Sequence, residues 1–471
     1  MNKIKNKLYA LLLLIVVLIG NASCSKDNDE TTTTPDPEGE TTETGVNSWI
    51  ESTMRENYLW YADIPAKSKL NLSADPETFF NSLLSSSDGN EYSDGTHYYY
   101  SYIESTASTT KSISSIDYSY GFDFDLYILS SSPHSNYVAH LLYVAPDSPA
   151  SEAGLKRGDW IITMNGDSIT ANNYTTLYGS TALSLSTAKY NNGLVVQSEK
   201  TQLGAARSIE DDPVYYHETI NWGGKKIGYL VYNHFTAGQT DTDTKYNDEL
   251  LSLSQTFKSD GVNEFILDLR YNNGGLLSCA QLLSAILAPT SALNNTFCTL
   301  EYNDKQSPRT EKIALSSSIL NKGENLNMGT VYILVTSMTA SASELVINAL
   351  KPYMNVVVIG DTTEGKNVGS VSYTDDKYPW HLQPIVCKLY NANNESNYGK
   401  IGFTPDYEAN EAERLDKFLP FGDTDELLLS TALSLIDGTY TTARAYTRSS
   451  LNLKKIASSL DRKASNGVII K

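Results

Sequence analysis

The chain is poor in cysteine, histidine and positive charge. Its 471 residues include four cysteines and six histidines, and 36 Lys+Arg stand against 55 Asp+Glu for a net charge of −19. Cys24, Cys279, Cys298 and Cys387 form no CxxC pair and join no His/Cys cluster, so a zinc site has no support and no metal or cofactor is expected. The last three lie in apolar surroundings and read as buried thiols, with one disulfide as the alternative in an exported protein. The acidity disfavours nucleic acid and anionic lipid as partners. Long apolar runs are also missing. Leu8 to Gly20 is about 13 residues, short of the roughly 20 that span a membrane.

What the first residues do contain is a secretory layout. Lys3, Lys5 and Lys7 precede the apolar run, and Asn21-Ala22-Ser23 precede Cys24. Removing residues 1–23 as a signal peptide would take the charge from −19 to about −22. Cys24 resembles the lipid-modified first residue of bacterial lipoproteins, and Ser25-Lys26-Asp27-Asn28-Asp29-Glu30 resembles the acidic export patch of surface lipoproteins in Bacteroides-type bacteria. The resemblance implies lipid attachment at Cys24 and an outer-membrane anchor, facing the periplasm or the cell surface. Residues 24–46, rich in Thr, Asp, Glu and Pro, read as a disordered tether.

Three further segments follow. Residues 47–110 read as a small helical domain: Trp49, Ile50, Met54, Tyr58 and Leu59 recur at helical spacing, and Pro76 opens a second helix after Asp75. From 111 to 205 the pattern turns to strands and turns. There "APDSPASEAGLKRGDWIITMNGDSI" resembles PDZ domains of the bacterial protease type. Such a domain takes an extended peptide as an added strand and holds its terminal carboxylate in a backbone nest. By resemblance that nest is Tyr120-Gly121-Phe122-Asp123, with Asp123 and Asp125 as acidic neighbours. Residues 206–440 alternate apolar strands (227–232, 264–269, 331–336, 356–360) with helices (276–287, 344–350). That reads as an α/β core with strands covered on both faces. Residues 441–471, rich in Ser, Arg and Lys, read as a peripheral segment.

The chemistry gathers at three strand ends. Val331 to Thr336 leads through a small-residue turn into Ser341-Ala342-Ser343-Glu344, which reads equally as a capping box and as a nucleophile at a helix start. A serine there has the Ala342 amide beside it, and helix-end amides stabilise developing negative charge. Asp268-Leu-Arg-Tyr-Asn-Asn-Gly-Gly275 ends a second strand in paired glycines, and Lys366 follows a third. A lysine acts as a base only when burial or nearby cations lower its pKa.

Together these resemble the S41 family, the C-terminal processing or tail-specific proteases. "DLRYNNGG", "SASE", a lysine 25 residues after Ser341, and Gly402-Phe-Thr-Pro-Asp406 match the family's motifs in order. The resemblance implies a ClpP/crotonase-like core. It also implies a serine endopeptidase with Ser341 as nucleophile, Lys366 as base, and an oxyanion hole of Ala342 with Gly274 or Gly275. Ser370 stands where many members carry a glutamine that orients the lysine, and Asn367 replaces a glycine. Those departures leave a second reading open, a peptide-binding lipoprotein of the same fold with weak or no catalysis. Polypeptide ends are the implied partners. Of the histidines, His234 is the one candidate for a triad, and no motif supports it.

Overall fold

A computed structural model describes residues 43–92, 95–106, 116–129, 136–191, 194–240, 242–441, 453–462 and 468–471. The expected signal peptide, Cys24 and the acidic patch lie outside these residues. Among the described residues no helix is long and apolar enough to cross a membrane.

Apolar strands alternating with helices build the sheet that positions the site. Its six strands run in the order Val214–Trp222, Lys225–Tyr232, Glu264–Asp268, Thr330–Val335, Asn355–Gly360 and Tyr407–Glu408. The first pair is antiparallel and every later neighbour is parallel. Leu230, Leu267, Ile333 and Val358 pack on one face against the helices Lys245–Asp260, Leu277–Leu287 and Ala342–Leu350. The intervening residues Tyr229, Ile266, Leu334 and Ile359 pack on the other face against Leu427–Ile436. The four central strands are sealed on both faces, so they read as apolar runs. Each buried aliphatic side chain contributes about 1.5–3 kcal/mol.

Parallel pairing has a further consequence. The carboxyl ends of adjacent strands open on the same edge, so the loops after Asp268, Val335 and Gly360 converge. Ala340 N donates to Asn272 O at 3.1 Å, and Glu364 N donates to Thr339 O at 3.0 Å.

A second sheet orders Glu311–Ala314, Thr296–Tyr302, Ile385–Tyr390, Val368–Val371 and Val468–Ile470. The strands Phe122–Leu129, Tyr137–Val144, Trp160–Met164, Leu183–Asn191 and Leu194–Leu203 form a separate antiparallel sheet, with its own apolar centre around Phe124, Leu141, Ile161 and Leu185.

Two expected boundaries are corrected. The first helix spans Glu43–Asn57, starting inside the expected tether, because Val46 packs in one apolar cluster with Ile50, Met54 and Tyr58. Residues 47–110 are not helical throughout. Beyond the helix Pro76–Asn81 the chain forms short strands, and Tyr102–Ser105 pairs with Tyr378–Gln383 of the core. Ile103, Leu382 and Ile385 share the cluster of Ile50 and Phe79. Within 441–471, the described stretches 453–462 and 468–471 join two sheets. Leu453–Ser458 is the edge strand of the antiparallel sheet, and Val468–Ile470 is the edge of the second sheet. Cys279, Cys298 and Cys387 are buried free thiols, as expected.

The antiparallel unit is fastened to the core by Arg157. Its guanidinium donates to Tyr271 Oη at 2.7 Å and to Leu419 O at 2.9 Å, pairs with Glu411, and lies 3.7 Å from the Phe418 ring centroid. Next to it the fully buried Arg270 pairs with Asp268 at 2.7 Å, Glu411 at 2.8 Å and Glu426 at 2.7 Å. Charges so deeply buried persist only when paired and hydrogen-bonded. Burial pushes Glu411 upward, but Arg157 and then Arg270 outweigh it and hold it at about 2.

Candidate active site

Ser341 is the N-cap of the helix Ala342–Leu350, with φ 62° and ψ −112°. A non-glycine residue at positive φ is strained, and such strain gathers at functional sites. The residue is fully buried, and Oγ has no hydrogen-bond partner among the described residues. Lys366 is likewise buried, at 1% exposure, and Nζ has no hydrogen-bond partner among the described residues. A satisfied N-cap would direct its hydroxyl to a backbone amide; this one does not.

One carboxylate ties the two residues together. Glu344 accepts from Ser341 N at 2.9 Å, Lys366 N at 2.8 Å, Gly365 N at 2.7 Å and Thr363 Oγ1 at 2.6 Å. It closes one half of the expected capping box and also clasps the lysine loop to the serine helix. Burial pushes its carboxyl up to about 7, against the opposing pull of these four donors. Removing the anionic acceptor leaves buried donors without their partner, at about 1–3 kcal/mol. Glu344→Gln is therefore expected to lower the unfolding free energy by about 2 kcal/mol, read from denaturant midpoints. If the paired loops hold the reacting side chains in register, kcat should also fall roughly 10–100-fold with KM little changed. A full-rate Glu344→Gln enzyme would remove Glu344 from the positioning apparatus.

Lys366 is buried beside an aromatic ring and three acids. Burial lowers its pKa to about 8, partly countered by Asp88, Glu364 and Glu344. Nζ lies 4.2 Å from the Tyr100 ring centroid. Tyr100 Oη donates to Glu364 at 3.1 Å, and Tyr98 donates to the same carboxylate. Tyr98, Tyr100 and Asp88 belong to the first hundred residues, which sequence reasoning had not connected to the site. The aromatic run Tyr98-Tyr99-Tyr100 was the available signal.

The glycine pair is resolved into two roles. Gly274 N donates to Asn272 Oδ1 at 2.9 Å. At φ 108° it packs so tightly that a Cβ would come within 2.7 Å of Ser341 Cβ. Gly275 N and Ala342 N donate to no acceptor among the described residues, which makes them the pair available to a developing oxyanion. Asn272 organises the loop. Its carbonyl accepts from Ala340 N and from Ser343 Oγ, and its Nδ2 donates to Tyr232 O at 2.7 Å. Asn272 was not among the expected site residues.

Ser370 does not orient the lysine. Its Oγ donates to Val468 O at 3.3 Å and accepts from Gln383 Nε2 at 2.9 Å, while Lys366 Nζ stays unpartnered. It lies in the strand Val368–Val371 of the second sheet. His234 lies 3.9 Å from Asp211 and makes no hydrogen bond to Ser341 Oγ. Tyr120, Gly121, Phe122 and Asp123 lead into the first strand of the antiparallel sheet, with Gly121 at φ 85°.

Comparison with known proteins bears on this arrangement. Residues 226–409 match the model for peptidase family S41, and residues 45–102 match the peptidase S41 N-terminal domain. A solved Bacteroides fragilis chain assigned to the S41 proteases is 39% identical, with a TM-score of 0.75. The alignment covers 88% of this chain and 100% of that one. The chain belongs to peptidase family S41. Among curated relatives, the "Probable CtpA-like serine protease" of Staphylococcus aureus is 28% identical over 221 residues, 47% of this S41 chain and 40% of that protein. The "Carboxyl-terminal-processing protease" of Picosynechococcus is 24% identical over 273 residues, 57% of this chain and 60% of that one. The S41 chain thus matches about half the length of these curated relatives.

Proposed function

We propose that this S41 chain is a serine endopeptidase of the C-terminal processing type, cutting polypeptides through a Ser341–Lys366 dyad. The observation that carries the reading is the shared Glu344 carboxylate, which binds the backbone of both residues while each side chain stays buried and unpartnered. Neutral Lys366 accepts the proton from Ser341 Oγ as that oxygen attacks the scissile carbonyl. The oxyanion is held by Ala342 N and Gly275 N. The Lys366 ammonium then protonates the leaving amine, and water, deprotonated by the same lysine, releases the acyl group. A base at about 8 is well matched to this work near neutral pH. Segment 111–205 would serve as the PDZ module that receives substrate ends. Export and lipidation at Cys24 would place the enzyme on the outer membrane, acting on exported or unfolded proteins.

The test is digestion of a denatured protein by wild type, Ser341→Ala and Ser370→Ala. Wild type is expected to cut at a rate rising with pH through about 8, Ser341→Ala to fall to background, and Ser370→Ala to keep most of its rate. A wild type no faster than Ser341→Ala at any pH from 6 to 10 would leave the second reading, a peptide-binding lipoprotein. That reading draws on Ser370 being engaged away from the lysine.

A further inference from the structure

Two described stretches, 453–462 and 468–471, lie along strands where an extended peptide could add. Leu453–Ser458 runs antiparallel along Phe122–Leu129, pairing Lys455 with Tyr127 and Ser458 with Asp125. That is the outer edge of the sheet, and the added strand runs toward the Gly121 turn. Strand addition of this kind is how an extended peptide docks on a sheet edge. At the turn the next residue takes the ligand's place: Phe124 N donates to Ser459 Oγ at 2.8 Å, and Ser459 Oγ donates to Asp123 Oδ1 at 2.6 Å. Lys455 pairs with Asp125 at 2.9 Å. The two acids that make this turn a poor host for a carboxylate therefore suit the segment already there.

The stretches then reach the cleft. Asn273 Nδ2 donates to Leu460 O at 3.1 Å. Val468–Ile470 lies parallel to Gly369–Val371, three residues beyond Lys366. On its other side Ile469 bridges to Leu276, and Ile469 N donates to Gly275 O at 2.9 Å. Ser370 Oγ donates to Val468 O. Val468 is fully buried and Ile469 is 4% exposed. A three-residue apolar strand thus lies between the lysine strand and the glycine loop, and both Ser341 and Lys366 are closed from solvent.

We propose that the described stretches 453–462 and 468–471 act as a built-in peptide ligand: Leu453–Ser458 occupies the sheet edge at Phe122–Leu129 and Val468–Ile470 the place between Gly369–Val371 and Gly275, so that a substrate chain must displace them. The proposal rests on the reading of the cleft as a peptidase site. It also gives the register an entering peptide takes, extended, parallel to Gly369–Val371, with an apolar side chain at the Val468 position.

Two variants of the full chain weaken the two contacts independently. Ile469→Asp puts a charge in the buried strand, and Lys455→Glu opposes Asp125 at the sheet edge. Cleavage of a short quenched fluorescent peptide with apolar residues is expected to rise at least tenfold in Ile469→Asp and severalfold in Lys455→Glu. A synthetic peptide of residues 453–471 should bring both back toward the wild-type rate. In parallel, a labelled form of that peptide is titrated onto each variant in a Ser341→Ala background. It should bind the weakened variants at least tenfold more tightly than the parent. Unchanged or lower rates together with equal peptide binding overturn the proposal and make the segment a structural strand. If Ile469→Asp fails to fold by circular dichroism, Lys455→Glu alone decides by the same two readouts. Should no variant cleave while the weakened ones bind the peptide, the peptidase reading fails and the built-in ligand stands.

Discussion

Lys366→Met is expected to abolish cleavage and to stabilise the protein. The rate should fall by 10⁴-fold or more, as it does when the base of a nucleophile pair is lost. The stability change has the opposite sign because the wild-type amine is buried at about 8, well below its usual 10.5. Below about pH 8 the amine is protonated in both folded and unfolded chains, and the folded state carries the full cost of burying the charge. Between about 8 and 10.5 the unfolded chain binds the extra proton, so wild-type stability rises with pH across that window. Methionine carries no such cost. The gain is expected at roughly 1–3 kcal/mol near pH 7, moderated because Asp88, Glu344 and Glu364 lose a neighbouring cation. It should shrink as pH climbs from 8 to 10.5. Urea unfolding of wild type and variant at pH 7 and pH 9.5 measures both sign and trend. A destabilised Lys366→Met at pH 7 would mean that the amine is held by interactions other than those described.

Arg270→Met should be the most damaging single substitution outside the cleft. Asp268, Glu411 and Glu426 converge on two guanidiniums, those of Arg157 and Arg270. Removing one leaves three buried carboxylates facing a single cation. Breaking a buried pair in this way costs about 3–5 kcal/mol, a large part of a typical domain's margin. Guanidinium chloride midpoints should register the loss. It should deepen as pH rises from about 2 to 5, where the wild-type Glu411 gains its charge. A change below about 1 kcal/mol would show that water or a rearranged side chain replaces the guanidinium.

How much of this could be read from sequence depended on the kind of order involved. The strands of the core were legible because parallel strands sealed on both faces are continuous apolar runs, and the observed bounds lie within a few residues of those expected. Ser341, Lys366 and the glycine pair were legible as motifs, but their convergence was not. It depends on three strand ends opening on one edge, and on Glu344 reaching across 22 positions to Lys366 N. The division of labour between Gly274 and Gly275 needed coordinates, because either amide fits the motif. That Ser370 Oγ bonds Val468 O and Gln383 Nε2 could not be read from its offset to Lys366, because an offset alone does not give a side chain's partners. Residues 441–471 escaped assignment for a similar reason. Strands of three and six residues, Ser- and Lys-rich at their margins, have too short a period to register.

The Tyr100 ring over Lys366 bears on how far this molecule is modular. Tyr100 sits at the far end of a helix-and-hairpin stretch that ends more than a hundred residues before the core sheet begins. Yet its ring centroid lies 4.2 Å from the buried Lys366 Nζ. Excising the core at a conventional cut point would hydrate that amine and return it toward the ordinary lysine range. The fragment would hold the nucleophile and the oxyanion amides but no base at neutral pH. Swapping the first hundred residues between related chains would, by the same logic, retune the pH at which the recipient works. The surroundings of Lys366 Nζ are thus supplied in part by a stretch of chain, through Asp88 and Tyr100, that contains neither Ser341 nor Lys366.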